Sequence, residues 1–153
     1  MHVSRRLPSF TVALACAAFT ASAADWPQWR GPLRNGHVAA GEKLLPSLPA
    51  EPKVLWRTKV GEGFASPVVA GGKVFVLDNQ GGKETLRAFD AAQGRELWRA
   101  EVDDAVGDKQ GPPGPRCTPL VDGTRIYAQS VKGELHCHSV TDGKLIWRKN
   151  YVK

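Results

Sequence analysis

"LRAFDAAQGRELWR", Leu86 to Arg99, is the stretch on which the fold turns, because the chain repeats it as "LHCHSVTDGKLIWR", Leu135 to Arg148, 49 residues further on. A second matched pair lies upstream of each copy: "SPVVAGGKVFVL" (Ser66 to Leu77) and "TPLVDGTRIYAQ" (Thr118 to Gln129), 52 residues apart. A third copy is present only as its tail, "VLWR", Val54 to Arg57. Leu-Trp-Arg or Ile-Trp-Arg therefore recurs at Trp56, Trp98 and Trp147.

Within each copy the turn signals are regular. Gly72, Gly82 and Gly94 punctuate the first copy, and Gly123, Gly133 and Gly143 the second. Short runs rich in β-branched and aromatic residues separate them, and turns every 8–12 residues or so mark an all-β meander. Gln93-Gly94 and Asp142-Gly143 supply the positive-φ residue that a tight hairpin requires. The pattern predicts four antiparallel strands per copy, at 66–70, 73–78, 84–90 and 95–102, then at 117–121, 125–130, 134–140 and 144–149. No helix is predicted in the repeats. Val68-Val69 and Val74 to Leu77 are continuously apolar, as in a sheet covered on both faces. Four-stranded sheets at a period of about 40–50 residues read as the blades of a β-propeller, each covered by its neighbours. The recurring Trp falls on the fourth strand. There its ring can bury against the adjacent blade while the indole N–H reaches a backbone acceptor.

Phe89-Asp90-Ala91-Ala92-Gln93-Gly94-Arg95-Glu96-Leu97-Trp98-Arg99 resembles the "L-D-A-x-T-G-K-x-x-W" repeat of the pyrroloquinoline-quinone-like (PQQ-like) propellers. Ser139 to Trp147 is a more divergent copy, with Ser139 where Asp is usual. "DWPQWRGPLRNG" (Asp25 to Gly36) and "GPRCTPLVDGTRIYA" (Gly114 to Ala128) are similar to stretches of exported bacterial members. The resemblance implies a propeller of the tryptophan-docking type, with Trp56, Trp98 and Trp147 as docking residues. It is shared by quinoprotein dehydrogenases, by the propeller lipoprotein of outer-membrane protein assembly, and by exported proteins of other roles. Function does not follow from it.

The first segment reads as a leader. Arg5 and Arg6 precede an apolar run, Leu7 to Ala23, that ends in Ala21-Ser22-Ala23. That is a signal peptide over residues 1–23, cleaved between Ala23 and Ala24. Export to the periplasm or cell envelope follows. Cys16 is the alternative point of lipidation. The run is too short and interrupted for a membrane span, and no other stretch is apolar enough. The net charge of +6 is mixed along the chain, without the clustered Lys and Arg of a nucleic-acid footprint.

The remaining organisation is an N-terminal extended segment (24–53), an outer strand of a ring-closing blade (54–60), a blade (61–102), an inter-blade loop (103–116) and a second blade (117–153). Trp26 and Trp29 are the expected N-terminal anchor. They are buried along the outside of a blade, or on a strand lent to close the ring. A complete ring of up to eight blades needs roughly 350–400 residues. Two blades plus one strand therefore predict an N-terminal fragment, whose remaining blades come from a missing C-terminal part. Two open sheet faces predict poor solubility or oligomers for the chain alone.

The candidate chemistry is sparse. His136 and His138 share one face of a strand, with Cys137 on the other, and such a pair is a candidate metal site. His37 is the only other histidine after the leader. The repeat sets ordinary strand residues Arg87, Ala88 and Phe89 opposite the cluster, so it is read as strand. Cys117 and Cys137 fall on first and third strands, ~9.5 Å apart. That is beyond the ~7 Å a disulfide spans, so two free buried thiols are predicted. Gly61-Glu62-Gly63 reads as a turn, Arg116 as a structural ion pair, and Asp103-Asp104 as a solvated turn with too few oxygens for calcium.

Three functions compete. The leading expectation is a non-catalytic exported propeller, a binding or scaffolding module for an unknown protein or small-molecule ligand. The second is the N-terminal part of a PQQ-dependent quinoprotein dehydrogenase, in which PQQ and calcium would sit in other blades. Such enzymes carry longer insertions and a vicinal Cys-Cys pair, and this sequence has neither. The third is a propeller component of outer-membrane protein assembly. No cofactor, metal or catalytic residue is assigned.

Overall fold

The computed structural model describes residues 24–42, 46–47 and 49–152. The proposed leader and Cys16 lie outside the described residues. Eight strands form two four-stranded antiparallel sheets, and no described residue is helical. β1 (Val68–Ala70), β2 (Lys73–Gln80), β3 (Lys83–Asp90) and β4 (Glu96–Asp104) pair in sequence order. So do β5 (Leu120–Asp122), β6 (Arg125–Gln129), β7 (Glu134–Ser139) and β8 (Leu145–Asn150). This is the all-β, blade-by-blade architecture the repeat predicts. Gly71-Gly72 and Gly81-Gly82 form two-residue hairpin loops with φ of 55, 71, 63 and 89°. Only glycine enters such doubly positive turns without strain.

The boundaries differ where proline acts. The first strand of each sheet starts later than the apolar pattern suggests, at Val68 and Leu120 instead of 66 and 117. Pro67 and Pro119 immediately precede them and have no N–H to give a ladder. β4 runs on to Asp104, so the Asp103-Asp104 pair ends a strand and is not a solvated turn. Val54–Val60, the expected outer strand, takes no strand pairing with any described residue. A fourth strand needs a third beside it, and no described residue supplies one.

A single apolar core joins the sheets. Phe75, Leu77, Leu86, Ala88 and Val102 of the first pack with Ile126 and Ala128 of the second, with Trp98, Val121 and Val140 at the margin. Each fully buried large side chain contributes about 1.5–3 kcal/mol. Cross-strand partners share a face. Ile126 pairs with His138 and Ala128 with His136, so both histidines face the first sheet. Val76 pairs with Arg87, and Phe75 with Ala88. Arg87 therefore lies on the opposite face of the first sheet, toward Val54–Val60.

The N-terminal segment does not run outside a blade. Trp26 exchanges two backbone hydrogen bonds with Val69 of β1, at 2.7 and 2.9 Å, and the Pro27 carbonyl accepts from Val121 of β5 at 2.8 Å. It thus bridges the first strands of both sheets. The physical reason is the edge: β1 and β5 are three-residue edge strands whose Val69 and Val121 amides need partners. The loop that follows is self-bonded. Gln28 Nε2 donates to the Pro32 carbonyl, Arg34 Nε donates to Gln28 Oε1, and the Trp26 ring lies on Gly31. Trp26 is only half-buried and Trp29 is 59% exposed. The expected burial of both indoles is not found.

Candidate functional site: the blade-docking positions

The recurring tryptophans sit in one repeated geometry. Trp56 Nε1 donates to the Ala91 carbonyl at 2.9 Å, and Trp98 Nε1 donates to the Val140 carbonyl at 3.1 Å. Ala91 and Val140 are equivalent in the repeat. Each ring also lies flat on the equivalent turn glycine. A Cβ on Gly94 would sit 2.5 Å from the Trp56 ring, and one on Gly143 would sit 2.5 Å from the Trp98 ring. Gly94 and Gly143 have φ of 69 and 72°, so these positions need glycine both for the backbone and for the close approach. Each tryptophan thus joins the end of one repeat to the third-to-fourth-strand turn of the next.

A β-bulge aims the ring. Ala88 pairs with Trp98 but Phe89 with Glu96, so Leu97 is the extra residue. In the second sheet Cys137 pairs with Trp147 but His138 with Leu145, so Ile146 is extra. A bulge turns its strand and redirects the next side chain. Sequence reading took Gly94 and Gly143 as turn glycines alone and missed both the bulge and the receptor role. The recurring apolar residue before each Trp was the available signal.

Trp147 completes the series up to a point. It meets Tyr127 at 6.0 Å, as Trp98 meets Phe75 at 5.8 Å. Yet it is 40% exposed, and among the described residues no carbonyl accepts its indole N–H. Leu145, Ile146, Tyr151 and Val152 are exposed beside it, and Val54 and Leu55 are exposed at the other end of the pair.

The other candidates resolve into structural bonds. Arg116 donates to the Gly114 and Pro112 carbonyls, pairs with Asp108 at 3.1 Å, and stacks over Phe64. Asp103 and Asp104 share Lys132, at 2.7 and 3.3 Å, and Asp104 also takes Lys83 at 2.6 Å. Burial opposes ionisation of Asp103, but hydrogen bonds from Lys132 and Ser130 hold its carboxyl below the usual range. A hydrogen bond from Lys83, then one from Lys132, holds Asp104 low. Arg87 is buried between Asp78, at 3.1 Å, and Glu96, at 2.8 Å, and it donates to the Lys59 carbonyl. Sequence reading passed over this cluster because the repeat puts Arg87 at a plain strand position.

Cys117 and Cys137 are free. Cys137 is buried, whereas Cys117 is half-buried, because it precedes the late start of β5. Burial, with Glu84 nearby, pushes the Cys117 thiol up, which leaves it a poor nucleophile. His136 and His138 stack with ring centroids 5.5 Å apart. Among the described residues no three His, Cys, Asp or Glu converge as metal ligands. Asp78, Glu96, Asp103, Asp104 and Asp108 are paired with Lys or Arg, and no cluster among the described residues offers the six to eight oxygens that calcium takes. No helix among the described residues is long and apolar enough to cross a membrane.

Two antiparallel four-stranded sheets, seated on each other by a repeated tryptophan, define a β-propeller blade pair. A family model described as outer membrane protein assembly factor BamB, of the PQQ-like repeat class, matches residues 28–152. The chain belongs to this family of PQQ-like propellers. Among curated proteins none matches. Among solved structures, BamB from Moraxella catarrhalis is similar at 21% identity and a TM-score of 0.41, covering 55% of this chain and 22% of that one. Quinohemoprotein alcohol dehydrogenase from Comamonas testosteroni is similar at 18% identity and a TM-score of 0.47, covering 61% and 14%. A europium-containing methanol dehydrogenase gives 23% identity, a TM-score of 0.41, and coverage of 58% and 15%. This chain therefore spans less than a quarter of each of these structures.

Proposed function

We propose that this chain supplies blades to an exported propeller that works as a non-catalytic binding or scaffolding module. One observation carries the reading. The repeated chemistry of the chain is docking: Trp56 and Trp98 are seated on Gly94 and Gly143, and Trp147 presents the same side chain outward. Arg87, Arg116, Asp103 and Asp104 are engaged in structural pairs, which supports a role in assembly. The test is a substrate-dependent dye-reduction assay with PQQ and calcium added, using alcohols, aldehydes and sugars. A rate equal to the blank supports a scaffold. A saturable rate overturns it in favour of a quinoprotein dehydrogenase.

A second reading, a propeller component of outer-membrane protein assembly, is favoured by the match to the family of outer membrane protein assembly factor BamB. It calls for a protein partner and a lipid anchor. Mass spectrometry of the N-terminus of the mature protein separates the two. Acylated Cys16 supports the assembly factor, and an N-terminus at Ala24 supports a soluble exported propeller.

A further inference from the structure

We infer that the seam between the two blades is a proton-operated joint, closed by the stacked pair His136 and His138 when both rings are neutral and loosened when they take up protons. The rings are 4% and 2% exposed and face the first sheet. His136 Nδ1, His136 Nε2 and His138 Nε2 are buried without a hydrogen-bond partner. His138 Nδ1 alone is held, by the Gly143 carbonyl at 2.9 Å, so it carries the proton of the neutral ring and donates. A second positive charge 5.5 Å from the first meets no hydrogen-bonding carboxylate, since the nearest, Glu134 Oε2, lies 3.8 Å from His136 Nε2.

The surroundings are mixed. On its own strand His136 faces His138 and Glu134, whose Oε2 is 3.8 Å from Nε2. Arg148 faces it from β8 and Asp103 from β4, and Lys83, Glu101 and Asp104 line the same groove. Asp103 is already bound to Lys132 and Ser130. Beside His138, β6 and β8 place Ile126 and Leu145, neither of them titratable. Burial, then the neighbouring His138, lowers the pKa of His136. Burial lowers that of His138, against the hydrogen bond that it donates to the Gly143 carbonyl.

The joint connects directly to the docking geometry. Gly143, whose carbonyl accepts the hydrogen bond from His138 Nδ1–H, is the residue under the Trp98 ring. Any shift of a charged His138 is therefore passed to the seat on which the first blade is docked. The sign follows from linkage. With folded values below the ordinary 6.5, the unfolded chain binds protons first. Stability is complete above that value and is lost as pH falls through the folded values. Glu84 acts oppositely, since burial raises its carboxyl and acidification relieves it. The lowered carboxylates Glu96, Asp103, Asp104, Asp108 and Asp142 titrate below their ordinary 4.5 and 3.8, outside this window.

The experiment compares the chain with the double variant His136→Gln, His138→Phe, which restores the phenylalanine found at the equivalent Phe89. From pH 7.5 to 5.5 the unfolding midpoint of the native chain is expected to fall by roughly 4–8 °C, and that of the variant by less than half as much. An equal fall in both overturns the proposal. A titration of the native chain followed by NMR decides independently, even if the variant does not fold. Two histidine ring signals should titrate below 6.5, with the Trp98 indole N–H shifting at the same midpoint. Ordinary titration with an unmoved Trp98 overturns the proposal.

Discussion

The two blades carry the same strands but treat the same pair of positions in opposite ways. On the first blade, Arg87 and Phe89 face Val54–Val60, and the guanidinium is fully engaged by Asp78, Glu96 and the Lys59 carbonyl while stacking over Phe89. On the second, His136 and His138 face the first blade, with three ring nitrogens unbonded. The difference teaches where a propeller tolerates charge. At a face closed by a single peeled segment, a permanent cation can recruit carboxylates and a free carbonyl. At a seam where two sheets meet over a shared apolar core, only a group able to be neutral fits.

The largest expected effect breaks the first half of this comparison. Arg87→Ala leaves Asp78 and Glu96 without their buried cation. Removing one partner of a buried ion pair costs about 3–5 kcal/mol, to be read as a lower midpoint in urea denaturation. His136→Ala, at the equivalent position, removes a neutral ring and is expected to cost clearly less. Equal losses would show that the two faces are not distinguished by charge.

The next effect compares the seated and the outward tryptophan. Trp98→Ala empties a docking position at the core margin and is expected to cost about 3 kcal/mol. Trp147→Ala removes a ring that is 40% exposed and is expected to cost less than about 1 kcal/mol in this chain. A loss at Trp147 as large as that at Trp98 would mean that something already covers the second blade, such as another copy of the chain.

How much of this was legible beforehand follows the same division. The two matched pairs, Ser66–Leu77 with Thr118–Gln129 and Leu86–Arg99 with Leu135–Arg148, located all eight strands, because turn glycines and β-rich runs are local signals. The late starts of β1 and β5 were misjudged because apolar character was weighed above the missing amides of Pro67 and Pro119. The N-terminal loop was misplaced for a deeper reason. Its partners are the backbone amides of Val69 and Val121, and no side-chain pattern announces a backbone bond. The repeat singled out Trp56, Trp98 and Trp147, but not the groups that meet the first two. Ala91 and Val140 act through carbonyls, which every residue has.

A smaller effect sharpens the glycine distinction. Gly143 and Gly123 both have positive φ, 72 and 56°, but a Cβ on Gly143 meets the Trp98 ring while one on Gly123 meets nothing within 4 Å. Gly123→Ala should cost about 1 kcal/mol, from the left-handed backbone alone. Gly143→Ala should cost about 1–3 kcal/mol more, from overpacking. It should also change Trp98 fluorescence, which Gly123→Ala should leave unmoved.

The smallest effect lies at the rim of the seam. Lys132 bridges Asp103 and Asp104 at 2.7 and 3.3 Å, and Lys83 holds Asp104 from the first blade. Lys83, Lys132 and Asp104 are exposed, although Asp103 is not, so salt screens most of this network. Lys132→Met should lower the unfolding midpoint slightly in low salt and not at all in high salt. The carboxyls of Asp103 and Asp104 lie below the ordinary 3.8. Their contribution is present above that value and is lost as pH falls through the folded values. The rim therefore weakens at a more acidic pH than the histidine pair behind it. A Lys132→Met variant that alters the pH 7.5-to-5.5 shift would place the proton-sensitive step at the rim and not at His136 and His138. One that alters only the response below pH 4 keeps the two apart, with solvated ion pairs at the edge and neutral rings inside.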